Sequence, residues 1–236
     1  MQLFYDAELT KEHKTHSIGL EESKHILRVL RKSVGDRIYL TNGKGDGFVS
    51  EITGVTSKRC EINILDSFAE DPYPYALHIG IAPPKSSDRF EFFLEKVTEI
   101  GVTEITPLLC ANSERRRINL KRSLRILQSA MKQSQRLYLP QLNDLISIDQ
   151  FITSDFGNST KLIAHCEKHN KMSLKEKIKT SKKYCALIGP EGDFSHQEIE
   201  SALKHGFHAV SLGEKRLRTE TAGLFLSQAL AFKFRL

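Results

Sequence analysis

Tyr184–Glu198 reads YCALIGPEGDFSHQE, and this stretch decides the fold. Tyr184 to Ile188 is a short unbroken apolar run, the pattern of a strand covered on both faces in a parallel sheet. Gly189 and Gly192 then allow the backbone to pass close to a neighbour, and Pro190 stiffens the loop between them. Ser195 and Glu198 stand three apart as a capping box, which starts a helix, and Gly206 ends it where a left-handed residue is usual. The stretch is one strand–loop–helix unit.

The same alternation extends in both directions. Strands are predicted at Ala76 to Ala82, Glu104 to Cys110, Lys161 to His165 and His208 to Leu212, with helices near 88–100, 119–137, 173–179 and 219–234. Strands alternating with amphipathic helices predict an α/β fold built on a parallel sheet. The first 70 or so residues read differently. Short strands at Leu3 to Tyr5, Arg37 to Thr41, Phe48 to Thr53 and Cys60 to Leu65, with one helix near 22–32, predict a small β domain. GKGDG at Gly43–Gly47 sits between two of those strands and reads as a hairpin turn. A phosphate loop would need a helix after it, whereas a strand follows. Asp71, Pro72, Tyr73 and Pro74 mark a linker, giving domains over 1–72 and 73–236.

Composition bounds the function. Among 236 residues, 39% are hydrophobic and 27% charged, enough apolar content for a real core. No run approaches the roughly 20 apolar residues of a membrane span. The N-terminus, with Asp6, Glu8 and Glu12, lacks a secretory signal's basic start, so a cytoplasmic location is expected. Cys60, Cys110, Cys166 and Cys185 form no C-x-x-C pair and are expected to be buried apolar residues. His165, Cys166 and His169 lack a second ligand pair, so no metal is expected. The net charge of +6 admits an anionic partner. Residues 1–72 carry 10 basic against 12 acidic groups and the remainder 25 against 17, so the excess lies C-terminal.

In parallel sheets ligands bind beyond the carboxyl ends of the strands. Three loops qualify: His165 to Asn170, Gly189 to Asp193 and Gly213 to Arg218. The first glycine-rich loop reads equally as a tight turn. The second segment, LGEKRLRTETA at Leu212–Ala222, puts Lys215, Arg216 and Arg218 just ahead of Glu220, with Thr219 and Thr221 able to cap the next helix. Its bland reading is a solvated basic turn leading into a buried helix.

Together these two segments resemble the ribosomal small-subunit methyltransferase E family of the SPOUT class, whose pattern reads GPEGG-S-x-x-E and LG-x-x-x-LR-T-E-T-A. The resemblance extends to HILRVLRKSVGDRIYLTNGKG at His25–Gly45, KSSDRFEFFLEKVTEIGVTEITPL at Lys85–Leu108 and KQSQR at Lys132–Arg136. Asp193 stands where the family has glycine, and Glu214, Lys215 and Arg216 stand where Pro-Arg-Ile is common.

The resemblance implies a PUA-like β-barrel followed by a domain tied in a trefoil knot. It implies S-adenosylmethionine (SAM) as cofactor, held by Gly189, Glu191, Gly192, Leu212, Gly213, Leu217 and Ala222, with His165 on the neighbouring loop. It also implies a homodimer and a reaction at N3 of a uridine in helix 44 of 16S rRNA. Arg218 is then expected to stabilise the developing uracil anion, with Glu220 or Glu191 as base; each carboxylate reads equally as a cap or an arginine partner. Lys24, Arg28, Arg31 and Lys32 would share one helical face toward RNA, or form an ordinary solvated face. Arg115, Arg116 and Arg117 form a second basic patch. The alternatives are a noncatalytic RNA-binding or assembly protein and a SPOUT enzyme acting on a tRNA ribose 2′-hydroxyl.

Overall fold

In the computed structural model, residues 2–56, 58–168, 171–178 and 181–235 are described. The chain divides into two compact units, one formed by Met1–Pro72 with Gln128–Leu139, the other by Tyr73–Leu127 with Pro140–Leu236.

In the first unit, β1 (Leu3–Tyr5), β2 (Thr15–Ser17), β3 (Arg37–Thr41), β4 (Asp46–Thr56) and β5 (Arg59–Ala69) form one sheet in the order β1-β3-β4-β5-β2. β1 lies parallel to β3 and the other pairs are antiparallel. Phe4, Leu40, Phe48, Ile52 and Ile62 fill the core of this unit together with Ile26. GKGDG is the turn between β3 and β4, with Gly43 and Gly45 at φ of 74° and 98°. Gly45 has a second constraint, because a Cβ there would meet the Tyr138 ring at 2.4 Å. The segment that KQSQR introduces packs along this turn: Gly45 N–H donates to Leu137 O and Leu139 N–H to Gly43 O.

The helix predicted near 22–32 is shorter and wider than expected. An α-helix, α1 (Leu20–Lys24), runs into a π-helical turn at His25–Val29, closed by Leu30 N–H donating to His25 O. Ile26 is fully buried, with Leu27 and Leu30 packed beside it, and the wider turn brings all three to the core. Arg31 lies beyond the helix end at φ 55°. Lys24, Arg28 and Arg31 are exposed but do not share one continuous α-helical face.

The second unit holds a parallel sheet of β6 (Ala76–Ile81), β7 (Glu104–Leu109), β8 (Gln141–Leu142), β10 (Thr160–Ala164), β11 (Met172–Ser173), β12 (Lys183–Ile188) and β13 (His208–Ser211), in the order β11-β13-β10-β12-β6-β7-β8. A short β9 (Ile146–Ser147) also pairs with β7. Its helices are α2 (Ser87–Ile100), α3 (Leu120–Gln133, whose last turns belong to the first unit), α4 (Ile148–Ile152), α5 (Leu174–Lys177), α6 (His196–Lys204) and α7 (Thr219–Arg235). The helix predicted at 173–179 is seen as α5, and Lys179 falls outside the described residues.

Alternation along β12 explains why its whole run is apolar. Cys185 and Leu187 pack with Phe151 and Ile152 of α4 and Ile199 and Ala202 of α6. Tyr184 points the other way, toward Phe234 of α7, with ring centroids 6.3 Å apart. Helices thus cover both faces, and a polar side chain on either would be buried. α7 approaches α2 closely, because a Cβ on Gly223 would lie 2.5 Å from the Phe93 ring.

Candidate functional site

The loops that follow β10, β12 and β13 enclose a cavity of about 740 Å³ at the carboxyl ends of the strands. His165, Gly189, Glu191, Gly192, Leu212, Gly213, Leu217 and Ala222 all line it, as does Arg218; Glu220 does not. The volume lies within the roughly 300–1,000 Å³ of small-molecule sites. His169 and Asn170, which end the first loop, fall outside the described residues.

Hydrogen bonds between the loops build the cavity wall. Ser195 and Glu198 form the expected capping box of α6, and the buried Glu198 also accepts Ala111 N–H at 2.7 Å, tying α6 to the end of β7. Gly206 sits at φ 84°, closing α6 as predicted. The glycines of GPEGD serve internal packing: a Cβ on Gly189 would meet the Phe194 ring at 3.1 Å, and one on Gly192 would meet Asn112 at 3.1 Å. The Asn112 amide donates to the carbonyls of Gly192 and Asp193. Gly213, at φ 139°, has open space where a side chain would stand.

Asp193 adopts φ 63°, a left-handed conformation that aspartate tolerates better than most residues. This accounts for glycine as the family's residue here. The aspartate adds something glycine lacks: Oδ2 accepts Cys166 N–H at 2.6 Å and Oδ1 accepts Phe194 N–H at 2.9 Å.

Glu191 accepts Lys85 N–H at 2.9 Å, and Arg115 donates to the carbonyls of Pro84 and Lys85. The loop after β6 is held from two sides. Arg115 is accordingly half-buried and engaged, whereas Arg116 and Arg117 are exposed. Nearby, Arg122 is tied to Glu91 by two hydrogen bonds.

The helix α7 begins differently from expectation. Arg218 O accepts Ala222 N–H, making Arg218 the capping position, while Thr219 lies within the helix. The Thr219 hydroxyl is buried and donates to Gly189 O at 2.9 Å, so it joins two cavity loops and does not cap. The Arg218 side chain is exposed and forms no ion pair among the described residues. Glu220 is buried, with Arg89 Nε 3.8 Å from its Oε1. Arg89 lines the cavity and was missed in the sequence, where it stands inside a segment noted only for its resemblance. Lys171, also on the wall, donates to His165 O.

Three of the cysteines are buried; the fourth, Cys166, is exposed, because it leaves the sheet in the loop that bounds the cavity. Burial pushes the Cys60 thiol up to about 11 and the Cys110 thiol up to about 12. Cys166 is also raised, by partial burial first and then by the Asp193 charge. Away from this cavity, Asp6, Glu8 and His16 gather their polar atoms within 4.8 Å. The Asp6 carboxylate accepts Glu8 N–H and Gly19 N–H and bonds the His16 ring, which accounts for the grouping as a hydrogen-bonded knot.

Residues 71–231 match the family profile described as an RNA methyltransferase domain, and 18–65 match the RNA methyltransferase PUA domain. The chain is 27% identical to the ribosomal RNA small subunit methyltransferase E of Bacillus subtilis, over 97% of this chain and 96% of that protein. Among solved structures it superposes on a probable rRNA-methyltransferase from Porphyromonas gingivalis with TM-score 0.91 and 39% identity, covering 100% of this chain and 99% of that one. It also superposes on the ribosomal RNA small subunit methyltransferase E of Neisseria gonorrhoeae bound to S-adenosyl methionine, with TM-score 0.86 and 30% identity over 99% and 98% of the two chains. With both domains matched and the parallel-sheet unit carrying a ligand-sized cavity where its loops converge, the chain belongs to the ribosomal RNA small subunit methyltransferase E family of RNA methyltransferases.

Proposed function

We propose that this chain methylates N3 of a uridine in helix 44 of 16S rRNA, with SAM held in the cavity between the loops after β10, β12 and β13. The observation that carries this reading is the convergence of Gly189–Asp193 and Leu212–Arg218 on one cavity, with Arg218, which has no ion pair among the described residues, on its wall. When bound, SAM supplies an activated methyl group on a sulfonium. Leu212, Leu217 and Ala222 provide apolar wall for an adenine, and the adjacent backbone provides polar groups to read its edge.

The remaining task is to align N3 and help it lose a proton. A uracil N3 is protonated at neutral pH, so losing that proton on the way to attack places negative charge on the ring, and a fixed cation that stabilises this charge lowers the barrier. Arg218 fills this role, since arginine stays charged and cannot accept the proton. Of the two candidate carboxylates, Glu191 lines the cavity and among the described residues has only Oε1 engaged, which supports it as the acceptor of the N3 proton. Glu220 contributes through Arg89.

We read Lys24, Arg28, Arg31, Arg116 and Arg117 as phosphate contacts, supported by their exposure. Arg115 supports the Arg116–Arg117 patch by holding the Pro84–Lys85 backbone. We also read the protein as a cytoplasmic homodimer. Phe225 and Phe232 of α7 are 46% and 64% exposed and seven residues apart, so they share one helix face that a second copy would cover. Among the described residues no helix is long and apolar enough to cross a membrane. We read α7 as the segment threaded into the family's trefoil knot, supported by the buried Thr219–Gly189 bond at its start.

Mass spectrometry of rRNA from a strain lacking the gene tests the reaction. The expected result is loss of one methyl group from a helix 44 uridine, restored by the purified protein and SAM. Unchanged rRNA would remove the assignment.

A further inference from the structure

Arg89, the third residue of α2, projects into the same cavity and is tied to a buried partner. Its side chain is 41% exposed, against 9% for Glu220, and Nε stands 3.8 Å from Glu220 Oε1. Glu220 lies in the first turn of α7, where the helix dipole favours a carboxylate. A buried carboxylate still needs a cation, and Arg89 is the ion-pair partner it has among the described residues.

Nε stands 3.8 Å from the carboxylate oxygen, an ion pair longer than a hydrogen bond. The Arg89 guanidinium makes no hydrogen bond to protein among the described residues, and Arg89 lines a cavity wall that also carries Lys171, Arg216 and Arg218. A guanidinium is a planar fork of donors whose geometry matches two oxygens of a carboxylate or phosphate. Glu220, by attracting that fork from one side, reduces the rotamer freedom that a lone surface arginine would lose on binding.

We infer that Arg89 is an oxyanion-binding residue of this cavity, positioned by Glu220. Its ligand is the carboxylate at the amino-acid end of the cofactor or a backbone phosphate of the RNA. The inference rests on the reading of the cavity as the cofactor site, and that reading is checked first: the unaltered protein must bind S-adenosylhomocysteine in calorimetry, and if it does not, the functional reading fails before Arg89 is tested.

Arg89→Ala is then titrated with S-adenosylhomocysteine and with 5′-methylthioadenosine, which keeps the adenosine and sulfur but lacks the amino-acid end. If the ligand is the cofactor carboxylate, affinity for the first falls at least tenfold and affinity for the second stays within twofold. If it is an RNA phosphate, both small molecules bind as before, while affinity for a helix 44 RNA fragment falls and the salt dependence flattens by about one ion. Equal losses for both small molecules would mean a collapsed cavity wall and would overturn the assignment, as would wild-type binding of all three.

Removal of Arg89 alone leaves Glu220 buried without its cation, so Arg89→Ala combined with Glu220→Gln guards against a folding defect and is expected to give the same pattern. Arg89→Lys should restore part of the loss. Glu220→Gln alone tests the positioning role: an intermediate loss with an unchanged melting temperature supports it, and wild-type affinity removes it.

Discussion

The carboxylate of Asp193 accepts the backbone N–H of Cys166 at 2.6 Å, binding the loop after β12 to the loop after β10. The same residue's carboxylate accepts its neighbour's Phe194 N–H and its backbone carbonyl accepts from Asn112, so the loops after β7, β10 and β12 meet at one residue. Replacement by alanine removes charged hydrogen bonds worth about 1.5–3 kcal/mol each before compensation by water. Asp193→Ala is therefore expected to weaken S-adenosylhomocysteine binding about tenfold, equivalent to ~1.4 kcal/mol. Asp193→Asn keeps an acceptor oxygen and should lose less. Calorimetry on the pair checks this, and equal affinity for Asp193→Ala and the unaltered protein refutes it.

Arg218→Ala should separate binding from chemistry. Loss of one preorganised charge-stabilising group typically costs about a hundredfold or more in rate. Methyl transfer is expected to fall by about that factor, with cofactor affinity changed less than threefold. Single-turnover rates beside calorimetry decide the point; parallel loss of both would make Arg218 a cofactor ligand.

Glu198 closes the α6 capping box and bonds Ala111 N–H while buried. Glu198→Ala removes both and leaves two N–H groups unanswered, at a cost of about 2–4 kcal/mol. The melting temperature should fall by several degrees, and Glu198→Gln should recover part of the loss. A melting temperature unchanged by Glu198→Ala would show that water replaces these bonds.

His78 supplies a pH dependence. Burial lowers its pKa from the ordinary 6.5, with Glu104 opposing, and its Nε2 bonds the Thr106 hydroxyl at 2.7 Å. Because the folded value lies below the unfolded one, the unfolded chain takes up the proton first on acidification. The contribution is present above pH 6.5 and is lost as pH falls through the folded value. Melting curves should show stability declining below about pH 6.5, and less steeply in His78→Gln. Identical slopes would assign the acid sensitivity elsewhere.

Phe232→Glu tests the α7 face. Light scattering at micromolar concentration should show a dimer for the unaltered protein and a monomer for the variant, with each subunit still folded. A monomer in both would overturn the dimer reading.

The five longer strands of the second unit were legible in the sequence to within one residue at each end, because burial on both faces leaves an unbroken apolar run such as Tyr184–Ile188. The capping box at Ser195 and the turn at Gly206 were equally plain, since each rests on local backbone chemistry. β2, β8, β9 and β11 escaped notice: two or three residues are too few to show a period, and their pairing comes from neighbours distant in sequence. The π turn at His25–Val29 escaped for a related reason, since 3.6-residue spacing cannot reveal where a core draws three apolar residues to one side.

Local pattern therefore determined the α/β class, the three loops and the residues they carry, since periodicity, caps and glycine positions act within a few residues of themselves. Tertiary structure decided what those residues do. It gave the GPEGD glycines to Phe194 and Asn112, drew Thr219 to Gly189, set Gln128–Leu139 with the N-terminal unit, and paired Glu220 with an arginine from α2. Each of these partners lies tens of residues away or more, save Phe194, and a buried donor, acceptor or charge is satisfied by whatever the fold brings within reach, which no local spacing encodes.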